Sequence, residues 1–353
     1  MKRVGNIYTR ICEKSNVEKA VLSASKGKKS RANVKKIIDN MEVAVVSLQS
    51  MLQKQEYVPS AYEEKKIYDG ANKKERIIFK PRFYPDQCVH WALMLQIEEI
   101  LKKGMYDYCC ASVKGRGILY AVNHIKRILK EDRKNTKYCL KLDIKKFYPS
   151  IEKELLKRKF RRKIKCRETL NLIDVIIDSS KQGLPIGNYT SQWFANFFLQ
   201  DLDHFIKEQL HIKYYIRYMD DMILFHRNKR ELHKHRLKIE EFLKNENLNL
   251  KENWQLFKTE SRPVDFVGYR FYRGYTTLRK SNFLRIKRRA KKIYKKEKLN
   301  VKDSASIISY CGWLKHCDSH NYNKKYIKPY INIKECKGVV SYANRKQFET
   351  RKI

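Results

Sequence analysis

The sequence has no apolar run long enough to cross a membrane, and it is poor in glycine and proline. With only 12 glycines and 7 prolines in 353 residues, it is neither collagen-like nor a low-complexity chain. The nine cysteines are odd in number and irregularly spaced, and no secretory apolar segment follows Met1. We therefore expect free thiols and a location in a reducing cytoplasm.

Acidic residues are also scarce, because 38 Asp and Glu stand against 79 Lys and Arg, which gives a net charge of +41. Such an excess repels itself in a compact chain unless a polyanion neutralises it. Nucleic acid fits this role, since contacts from Lys and Arg to phosphates release counterions. A basic amphipathic anchor of the kind that binds membrane surfaces is not evident, so no membrane partner is expected.

Hydrophobic residues make up 42% of the chain, with 23 Tyr and 15 Phe, which predicts a sizeable and helix-rich core. Residues 34–53 carry apolar side chains at the spacing of one amphipathic helix. Residues 66–68 and 76–79 read as the two arms of a hairpin, with the Asp-Gly pair 69–70 as its turn. The next helix is expected to begin after Pro85, with Asp86 as its N-cap.

Further along, residues 138–144 alternate as a strand that ends in an acid, and residues 191–206 predict a helix. Residues 214–225 are an apolar run with two acids in its middle, which predicts a β-hairpin with those acids at the tip. Residues 264–273 indicate a second short strand pair. A basic helix with an apolar stripe is expected within residues 276–298, and we place a domain boundary near residue 275.

Three aspartates in these elements are the candidate catalytic residues. Asp220 and Asp221 are adjacent in an apolar strand pair, where two like charges are costly without a cation. An ordinary polar turn is the alternative, but such turns usually sit among Gly, Asn or Ser. Asp143 ends the preceding strand and supplies a third acid, with the backbone carbonyl of Ile144 as an extra ligand. The alternative for Asp143 taken alone is an ordinary cap at the end of its strand. Together they predict a site for two Mg²⁺ ions.

These motifs resemble those of reverse transcriptases. The Tyr-Met-Asp-Asp segment 218–221 is similar to the catalytic box of that family, and residues 142–151 resemble its first acid motif. The aromatic residue five positions after the first acid is the steric gate of the family. The resemblance thus implies that Tyr148 lies against the sugar 2′ position and excludes ribonucleotides. The alternative is that Tyr148 is a core aromatic.

A further block narrows the resemblance. Most intron-type reverse transcriptases have Gln-Gly, three residues, then Ser-Pro, whereas this chain has Ile186 and Gly187, three residues, then Ser191 and Gln192. This form resembles the enzymes of diversity-generating retroelements, which misincorporate opposite template adenines. On that resemblance Ile186, Gly187 and Gln192 bind the incoming nucleotide, and loss of a polar Gln contact is consistent with loose base selection. The alternative is that Ile186 only packs.

The resemblance also implies further contacts with nucleotide and nucleic acid. Arg76 and Lys80 correspond to the residues that hold the incoming triphosphate, although a solvated Lys80 is the alternative. Arg116 stands in a Gly-Arg-Gly turn similar to the template-contacting turn. Tyr218 and Met219 of the catalytic box are expected to contact template or primer.

Towards the C-terminus, residues 266–269 resemble the primer-grip hairpin, with Gly268 and Tyr269 as candidate primer contacts. Arg285 and Arg288 belong to the basic helix that would follow the backbone of a duplex.

The general acid for pyrophosphate stays unassigned at this stage. Trp254 stands where intron-type enzymes place a possible general-acid lysine, and Lys251 and Lys258 are the alternatives. Cysteines and histidines in residues 311–320 have no spacing that fits a tetrahedral zinc knuckle, so zinc is not expected.

The fold implied by the resemblance is an α+β right-hand polymerase, with helices on one face of an antiparallel palm sheet. Residues 1–135 would form fingers with an N-terminal helical extension. Residues 136–275 would form the palm, with a fingers insertion at about 155–185, and residues 276–353 a helical basic thumb.

The implied function is RNA-directed DNA synthesis, making cDNA from a template RNA during the mutagenic retrohoming of a bacterial, archaeal or phage-encoded retroelement. The expected partners are template RNA, the RNA/cDNA duplex, dNTPs and a small accessory protein that forms a pentameric barrel. Two alternatives stay open. One is a group II intron-like or antiphage-defence reverse transcriptase without adenine mutagenesis, and the other is a non-catalytic RNA-binding scaffold.

Overall fold

A computed structural model describes residues 3–69, 74–296 and 299–349. The helices are, in chain order, α1 (Tyr8–Cys12), α2 (Lys14–Ser25), α3 (Ala32–Asp39), α4 (Met41–Gln53), α5 (Cys88–Lys102), α6 (Ile118–Glu131), α7 (Phe147–Ser150), α8 (Lys153–Lys163), α9 (Arg167–Asp178), α10 (Tyr189–Phe198), α11 (Gln200–His204), α12 (Lys229–Asn245), α13 (Lys280–Tyr294), α14 (Val301–Leu314), α15 (His320–Tyr326) and α16 (Ile333–Glu349). The strands are β1 (Glu63–Asp69), β2 (Lys74–Lys80), β3 (Tyr138–Asp143), β4 (Tyr214–Tyr218), β5 (Asp221–His226), β6 (Gln255–Lys258), β7 (Val264–Phe266), β8 (Tyr269–Phe271) and β9 (Thr276–Leu278).

The chain divides into two compact units. The first comprises Met1–Arg116, Leu140–Leu224 and Lys229–Gln255, and the second Gly117–Cys139, Phe225–Asn228 and Leu256–Ile353. The division into fingers, palm and thumb at residues 135 and 275 stays a prediction. Within the three described ranges, no helix has the length and apolar character needed to cross a membrane.

Two helices in the first unit replace the single helix that was predicted over residues 34–53. Helix α3 ends before Asn40, whose backbone leaves the helical region with φ −115° and ψ 42°, and α4 begins directly after it. The Asn40 side-chain amide donates to the carbonyl of Lys36 at 3.1 Å, a local bond that competes with helix continuation. The apolar stripe was correct in α4, where Val45 and Leu48 are buried.

The prediction that Asp86 caps the following helix was wrong. A π-helical turn over Phe83–Gln87 precedes α5, so the helix begins two residues after Asp86. The buried Asp86 carboxylate instead accepts hydrogen bonds from the Tyr57 hydroxyl at 3.0 Å and from the backbone N–H groups of Ser60 and Arg82, each at 3.1 Å. It thereby connects the chain segments on both sides of the hairpin.

The hairpin itself was predicted correctly. Strands β1 and β2 are antiparallel, with Glu63 opposite Lys80 and Asp69 opposite Lys74. The predicted turn residue Gly70 lies outside the described residues.

Four strands form a sheet in the order β4-β5-β3-β6. Strand β5 buries four consecutive residues, Met222 to Phe225, and the three central residues of β4 are buried as well. Burial on both faces explains why residues 214–225 are mostly apolar instead of alternating, with Arg217, Asp220 and Asp221 as the charged exceptions. The predicted strand 138–144 and the predicted hairpin 214–225 are confirmed, and the acids stand where these strands end or begin.

Aromatic packing holds the helices of the first unit together. The ring of Phe160 on α8 lies 4.8 Å from that of Phe194 and 4.7 Å from that of Phe197, both on α10. The helix predicted over residues 191–206 is divided, because α10 ends at Phe198 and α11 begins at Gln200.

In the second unit, β7, β8 and β9 form an antiparallel sheet in that order, which confirms the strand pair around Gly268. The basic helix α13 follows, and its apolar stripe is buried at Ile286, Ala290 and Ile293. Arg273 fastens the sheet to its surroundings, because its guanidinium donates to the Leu129 carbonyl at 3.2 Å and to the Thr259 hydroxyl at 2.9 Å.

Candidate active site

One cleft in the first unit, with a volume of about 700 Å³, contains all three candidate catalytic acids. The end of β3, the turn between β4 and β5, and part of β2 contribute to its walls. The lining residues are Glu75, Arg76, Asp143, Ile144, Lys145, Lys146, Phe147, Tyr148, Pro149, Ile186, Asp220, Asp221, Lys251, Glu252 and Asn253. The sequence therefore predicted correctly that acids from two separate segments meet in space.

Backbone pairing fixes the position of Asp143. Ile144 forms an antiparallel bridge with Leu250, and the N–H of Lys251 donates to the Asp143 carbonyl at 2.8 Å. Lys146 then adopts a left-handed conformation with φ 47°, which turns the chain into α7. The carboxylate of Asp143 is thus held at the rim of the sheet, beside the segment that carries Lys251.

The other two acids follow a strained turn. Met219 has φ 54°, a left-handed conformation that costs a residue with a side chain roughly 1–2 kcal/mol. Asp220 occupies the turn, and Asp221 begins β5. Tyr218 ends β4 half-buried, and burial raises the pKa of its hydroxyl.

The electrostatics of the cleft favour a cation. Burial, followed by the charge of Asp143, raises the pKa of Asp220 to about 6, while the nearby Lys251 ammonium opposes this increase. Lys251 Nζ lies 2.5 Å from Asp143 Oδ2. The other carboxylate oxygen, Asp143 Oδ1, is buried and has no hydrogen-bond partner among the described residues, so it can accept a further ligand.

The donor set fits a divalent cation that also binds substrate phosphates. In the described part of the chain, no three His, Cys, Asp or Glu side chains form a metal-binding group by themselves. Mg²⁺ does not require one, because it commonly binds one or two protein carboxylates together with water and phosphate oxygens. The buried, unpartnered oxygen of Asp143 and the raised pKa of Asp220 both point to such an ion. Ile144 lies on the wall of the cleft, where its predicted carbonyl ligation stays a prediction.

Three of the predicted nucleotide-binding residues line the same cleft: Arg76, Tyr148 and Ile186. The Tyr148 hydroxyl lies 3.5 Å from the sulfur of Met219, so the gate residue contacts the catalytic turn. Burial raises the pKa of Tyr148, followed by the charge of Asp220, and the phenol therefore stays neutral.

Gly187 serves a packing role that the sequence did not reveal. The Ile186 carbonyl accepts a hydrogen bond from the N–H of Phe79 at 2.8 Å, which joins this loop to β2. A Cβ on Gly187 would lie 2.2 Å from the Phe79 carbonyl oxygen, and the residue has φ +134°. Only glycine allows this close approach of the two backbones.

Several predicted contacts lie elsewhere. Lys80, Gly187 and Gln192 line a second cleft in the first unit, of about 460 Å³, and not the one that holds the acids. Lys80 forms an ion pair with Glu63 at 2.6 Å, and the Gln192 side-chain oxygen accepts a hydrogen bond from Ser112 at 2.8 Å. Sequence spacing indicated the segments correctly but not which of the two clefts each residue lines.

Arg116 is engaged within the protein. Its guanidinium donates to the Tyr106 carbonyl at 2.6 Å and lies 3.4 Å from the Asp107 carboxylate, and its side chain is 15% exposed. A direct template contact by this side chain would require it to leave both partners.

The candidate primer and duplex contacts belong to the second unit. Gly268 lies in the β7–β8 turn with φ +87°, whereas Tyr269 is buried and its hydroxyl donates to the Trp313 carbonyl at 3.2 Å. Tyr269 is therefore a core residue of this unit. Arg285 and Arg288 are exposed on α13, as a contact with a duplex requires.

Sequence reasoning missed a buried ion pair beneath the acids. Arg217 on β4 and Asp203 on α11 are both fully buried and lie 2.5 Å apart. The signal was present, because an arginine inside an apolar strand demands a buried acid as partner.

This chain is similar to known proteins in sequence and in fold. Residues 72–271 match the family model described as reverse transcriptase (RNA-dependent DNA polymerase). The retron Ec73 reverse transcriptase of Escherichia coli is 32% identical over 177 residues, which are 46% of this chain and 53% of that protein. The match thus spans about half the length of that relative.

Among solved structures, a telomerase from Candida albicans in complex with a TWJ fragment of telomeric RNA superimposes with a TM-score of 0.50. The identity is 11%, and the match covers 73% of this chain and 54% of the telomerase. At this identity the likeness concerns the fold alone. It confirms the predicted α+β fold of a right-hand polymerase.

The raised pKa of Asp220 predicts a pH-dependent stability. The folded chain holds this proton up to a pH of about 6, whereas the unfolded chain releases it near 3.8, the ordinary pKa of an aspartate. Wild type should therefore lose stability relative to Asp220→Asn as the pH rises from 4 to 6, by up to about 3 kcal/mol. Urea unfolding at pH 4 to 8 in the presence of a chelator measures this gap, and Mg²⁺ should narrow it.

Glu42→Gln is the control, because the side chain of Glu42 on α4 is 84% exposed. Its curve should run parallel to that of wild type. Parallel curves for Asp220→Asn and wild type would show that Asp220 does not carry a raised pKa.

Proposed function

Because the chain belongs to the reverse transcriptase family, we propose that it is an RNA-directed DNA polymerase that makes cDNA from a template RNA. One observation carries this proposal: Asp143, Asp220 and Asp221 line a single cleft together with Tyr148 and Arg76. A non-catalytic scaffold needs no such grouping of acids, and a general electrostatic binder needs only the positive charge.

The residues of the cleft have separate roles in nucleotidyl transfer. Asp143, Asp220 and Asp221, with the carbonyl of Ile144, would hold two Mg²⁺ ions. When bound, these ions supply activation of the primer 3′-hydroxyl and charge stabilisation on the leaving pyrophosphate. Lys251 neutralises Asp143 and orients its carboxylate toward the cleft.

The other residues of the cleft select and bind the nucleotide. Arg76 offers a forked donor to the triphosphate oxygens. The ring of Tyr148 limits the space at the sugar 2′ position, where an added hydroxyl would meet it. Contacts with duplex through Arg285 and Arg288 on α13 are part of the same proposal, because both side chains are exposed and basic.

The catalytic role of the acids predicts that Asp220→Asn abolishes DNA synthesis on an RNA template. The change keeps the shape of the side chain and removes its charge, so it should cost several kcal/mol of transition-state stabilisation, or roughly 1,000-fold in rate. Primer extension with a DNA primer, an RNA template and dNTPs measures it. Glu42→Gln should extend primers at the wild-type rate. Undiminished DNA synthesis by Asp220→Asn would contradict the catalytic role of the acids and favour the alternative of a non-catalytic RNA-binding scaffold.

The gate role of Tyr148 predicts a loss of sugar discrimination in Tyr148→Ala. Removing the ring should lower the ratio of kcat/KM for dNTPs over rNTPs by about 10- to 100-fold, because one steric contact contributes about 1–3 kcal/mol to discrimination. Tyr148→Phe keeps the ring and should keep the ratio. If Tyr148→Ala has the same ratio as wild type, Tyr148 is a packing residue and does not discriminate between the sugars.

At a finer level, we propose that the enzyme is error-prone at template adenines and serves a diversity-generating retroelement. The supporting feature is Ile186 on the wall of the acid cleft, where most intron-type enzymes have glutamine. An apolar side chain there cannot hydrogen-bond to the incoming nucleotide or its base pair, which weakens the penalty for a wrong partner.

The similarity to a retron reverse transcriptase favours a second candidate. A defence-associated or group II intron-like enzyme would share the acids, the metals and Tyr148 but would lack adenine mutagenesis. In such an enzyme, Ile186 would only pack against its neighbours.

Copying an RNA with all four bases separates the two candidates. In the mutagenic candidate, the error frequency opposite adenine should exceed that opposite the other bases by about 10-fold or more, and Ile186→Gln should reduce the difference. Ile186→Leu keeps an apolar side chain and should preserve it. Equal error frequencies at all four template bases in wild type would exclude the mutagenic candidate and favour the second one.

The remaining partners and the location are proposals as well. Template RNA and the RNA/cDNA duplex fit the charge of +41. An accessory protein that forms a pentameric barrel would bind such a basic chain through acidic patches or through RNA. A cytoplasmic location is consistent with nine cysteines that are all free thiols.

A further inference from the structure

Arg217 is among the largest fully buried side chains of the described residues, and it lies directly before the catalytic turn. Removing a guanidinium from water is expensive unless each donor finds a partner. The partners of this arginine therefore indicate why it is there.

The acid that faces Arg217 is Asp203, which binds it through two parallel bonds. Nε donates to Oδ1 at 2.7 Å and Nη2 donates to Oδ2 at 2.5 Å, a bidentate arrangement that sets the plane of the guanidinium. The hydroxyl of Tyr215 donates to the same Oδ1 at 2.7 Å. Asp203 is fully buried, so its position is set by these bonds and by α11.

The remaining edge of the guanidinium points to the catalytic turn. Nη1 donates to the side-chain oxygen of Asn196 at 3.0 Å and to the backbone carbonyl of Met219 at 3.2 Å. Asn196 is itself held, because its amide donates to the Ala111 carbonyl at 2.8 Å. The pair with Asp203 fixes the plane of the guanidinium, and Asn196 accepts one hydrogen bond from Nη1. The other Nη1 hydrogen bond is thereby directed to the Met219 carbonyl.

The backbone of Arg217 is fixed as well. Its N–H donates to the Tyr108 carbonyl at 3.0 Å, and its carbonyl accepts from the N–H of Cys110 at 2.8 Å. Both ends of the arginine are therefore anchored in the first unit, whereas the turn it contacts contains Met219 in a strained conformation with φ 54°. A strained turn keeps its conformation only when its surroundings hold it.

We propose that Arg217 is a positioning residue, which holds the Met219 carbonyl and thereby sets the direction in which Asp220 and Asp221 project into the cleft. The inference rests on the proposed catalytic function of these two acids. Arg217 itself does not line the cleft, so it acts through the turn and not on the substrate.

The contribution of this network to the stability of the fold can be separated from its role in positioning the catalytic turn. A buried ion pair adds little net stability, and apolar residues of similar volume often replace it without loss. If Arg217 serves only to stabilise the core, such a replacement leaves the chemistry intact. If it positions the turn, the replacement keeps the fold and loses the rate.

The experiment compares Arg217→Lys with Tyr215→Phe. Lysine can still pair with Asp203, but its single ammonium lacks the second edge that reaches Met219. Tyr215→Phe removes one bond to Asp203 and leaves the contact with Met219 untouched. We expect kcat for DNA synthesis to fall about 10- to 100-fold in Arg217→Lys, with KM for dNTPs nearly unchanged, because a small displacement of catalytic groups has this effect.

Tyr215→Phe should keep kcat within about threefold of wild type even if its Tm falls as far as that of Arg217→Lys. The double variant Arg217→Met with Asp203→Leu leaves no buried unpaired charge and guards against misfolding of the lysine variant. Combined with Tyr215→Phe, which removes the hydroxyl that would otherwise lose its acceptor, it should retain the affinity for primer–template, while kcat falls as in Arg217→Lys.

Two outcomes would overturn the proposal. Either the arginine variants keep kcat within about threefold of wild type, or Tyr215→Phe loses as much kcat as they do at equal Tm. Asp220→Asn is assayed alongside. DNA synthesis by Asp220→Asn would refute the catalytic role of the acids, whereas an inactive Asp220→Asn beside an active Arg217→Lys would refute only the positioning role.

Discussion

Repulsion between carboxylates within one cleft is the constraint on which the architecture of the first unit depends. Burial, followed by the charge of the nearby Asp143, raises the pKa of Asp220. Such a cluster remains folded only if the surrounding backbone is rigid and cations are near. The backbone pairing of Ile144 with Leu250 makes the segment beside Asp143 rigid. The Lys251 ammonium is the cation that lies near Asp143.

The same constraint explains where sequence reasoning succeeded. Charged residues in apolar strands are costly, so the adjacent Asp220 and Asp221 stood out without any knowledge of the fold, and Asp143 gained its meaning from them. The strands around the acids were predictable because burial on both faces demands mostly apolar residues. The stripe on α13 was predictable for a similar reason, because one face of a helix must meet the core.

Other features could not be predicted, because they depend on partners distant in sequence. Asn40 interrupts a regular apolar pattern through one local bond to Lys36. Lys80 ends β2 and Gln192 lies on α10, but their partners, Glu63 and Ser112, hold them at another cleft. Arg116 stands in a Gly-Arg-Gly turn similar to a template-contacting turn. Its guanidinium nevertheless donates to the Tyr106 carbonyl, ten residues earlier in the chain. Periodicity and motifs predict which helix or strand a residue belongs to. The direction in which its side chain points depends on tertiary contacts.

The bond between the Phe79 N–H and the Ile186 carbonyl has a mechanical consequence. The backbones of Gly187 and Phe79 approach so closely that no side chain fits between them. We therefore expect a displacement of β2 to shift Ile186 as well. On the proposed function, Arg76 on the same strand binds the triphosphate and Ile186 faces the base pair. Binding of the phosphates and selection of the base would then be coupled through this one backbone contact.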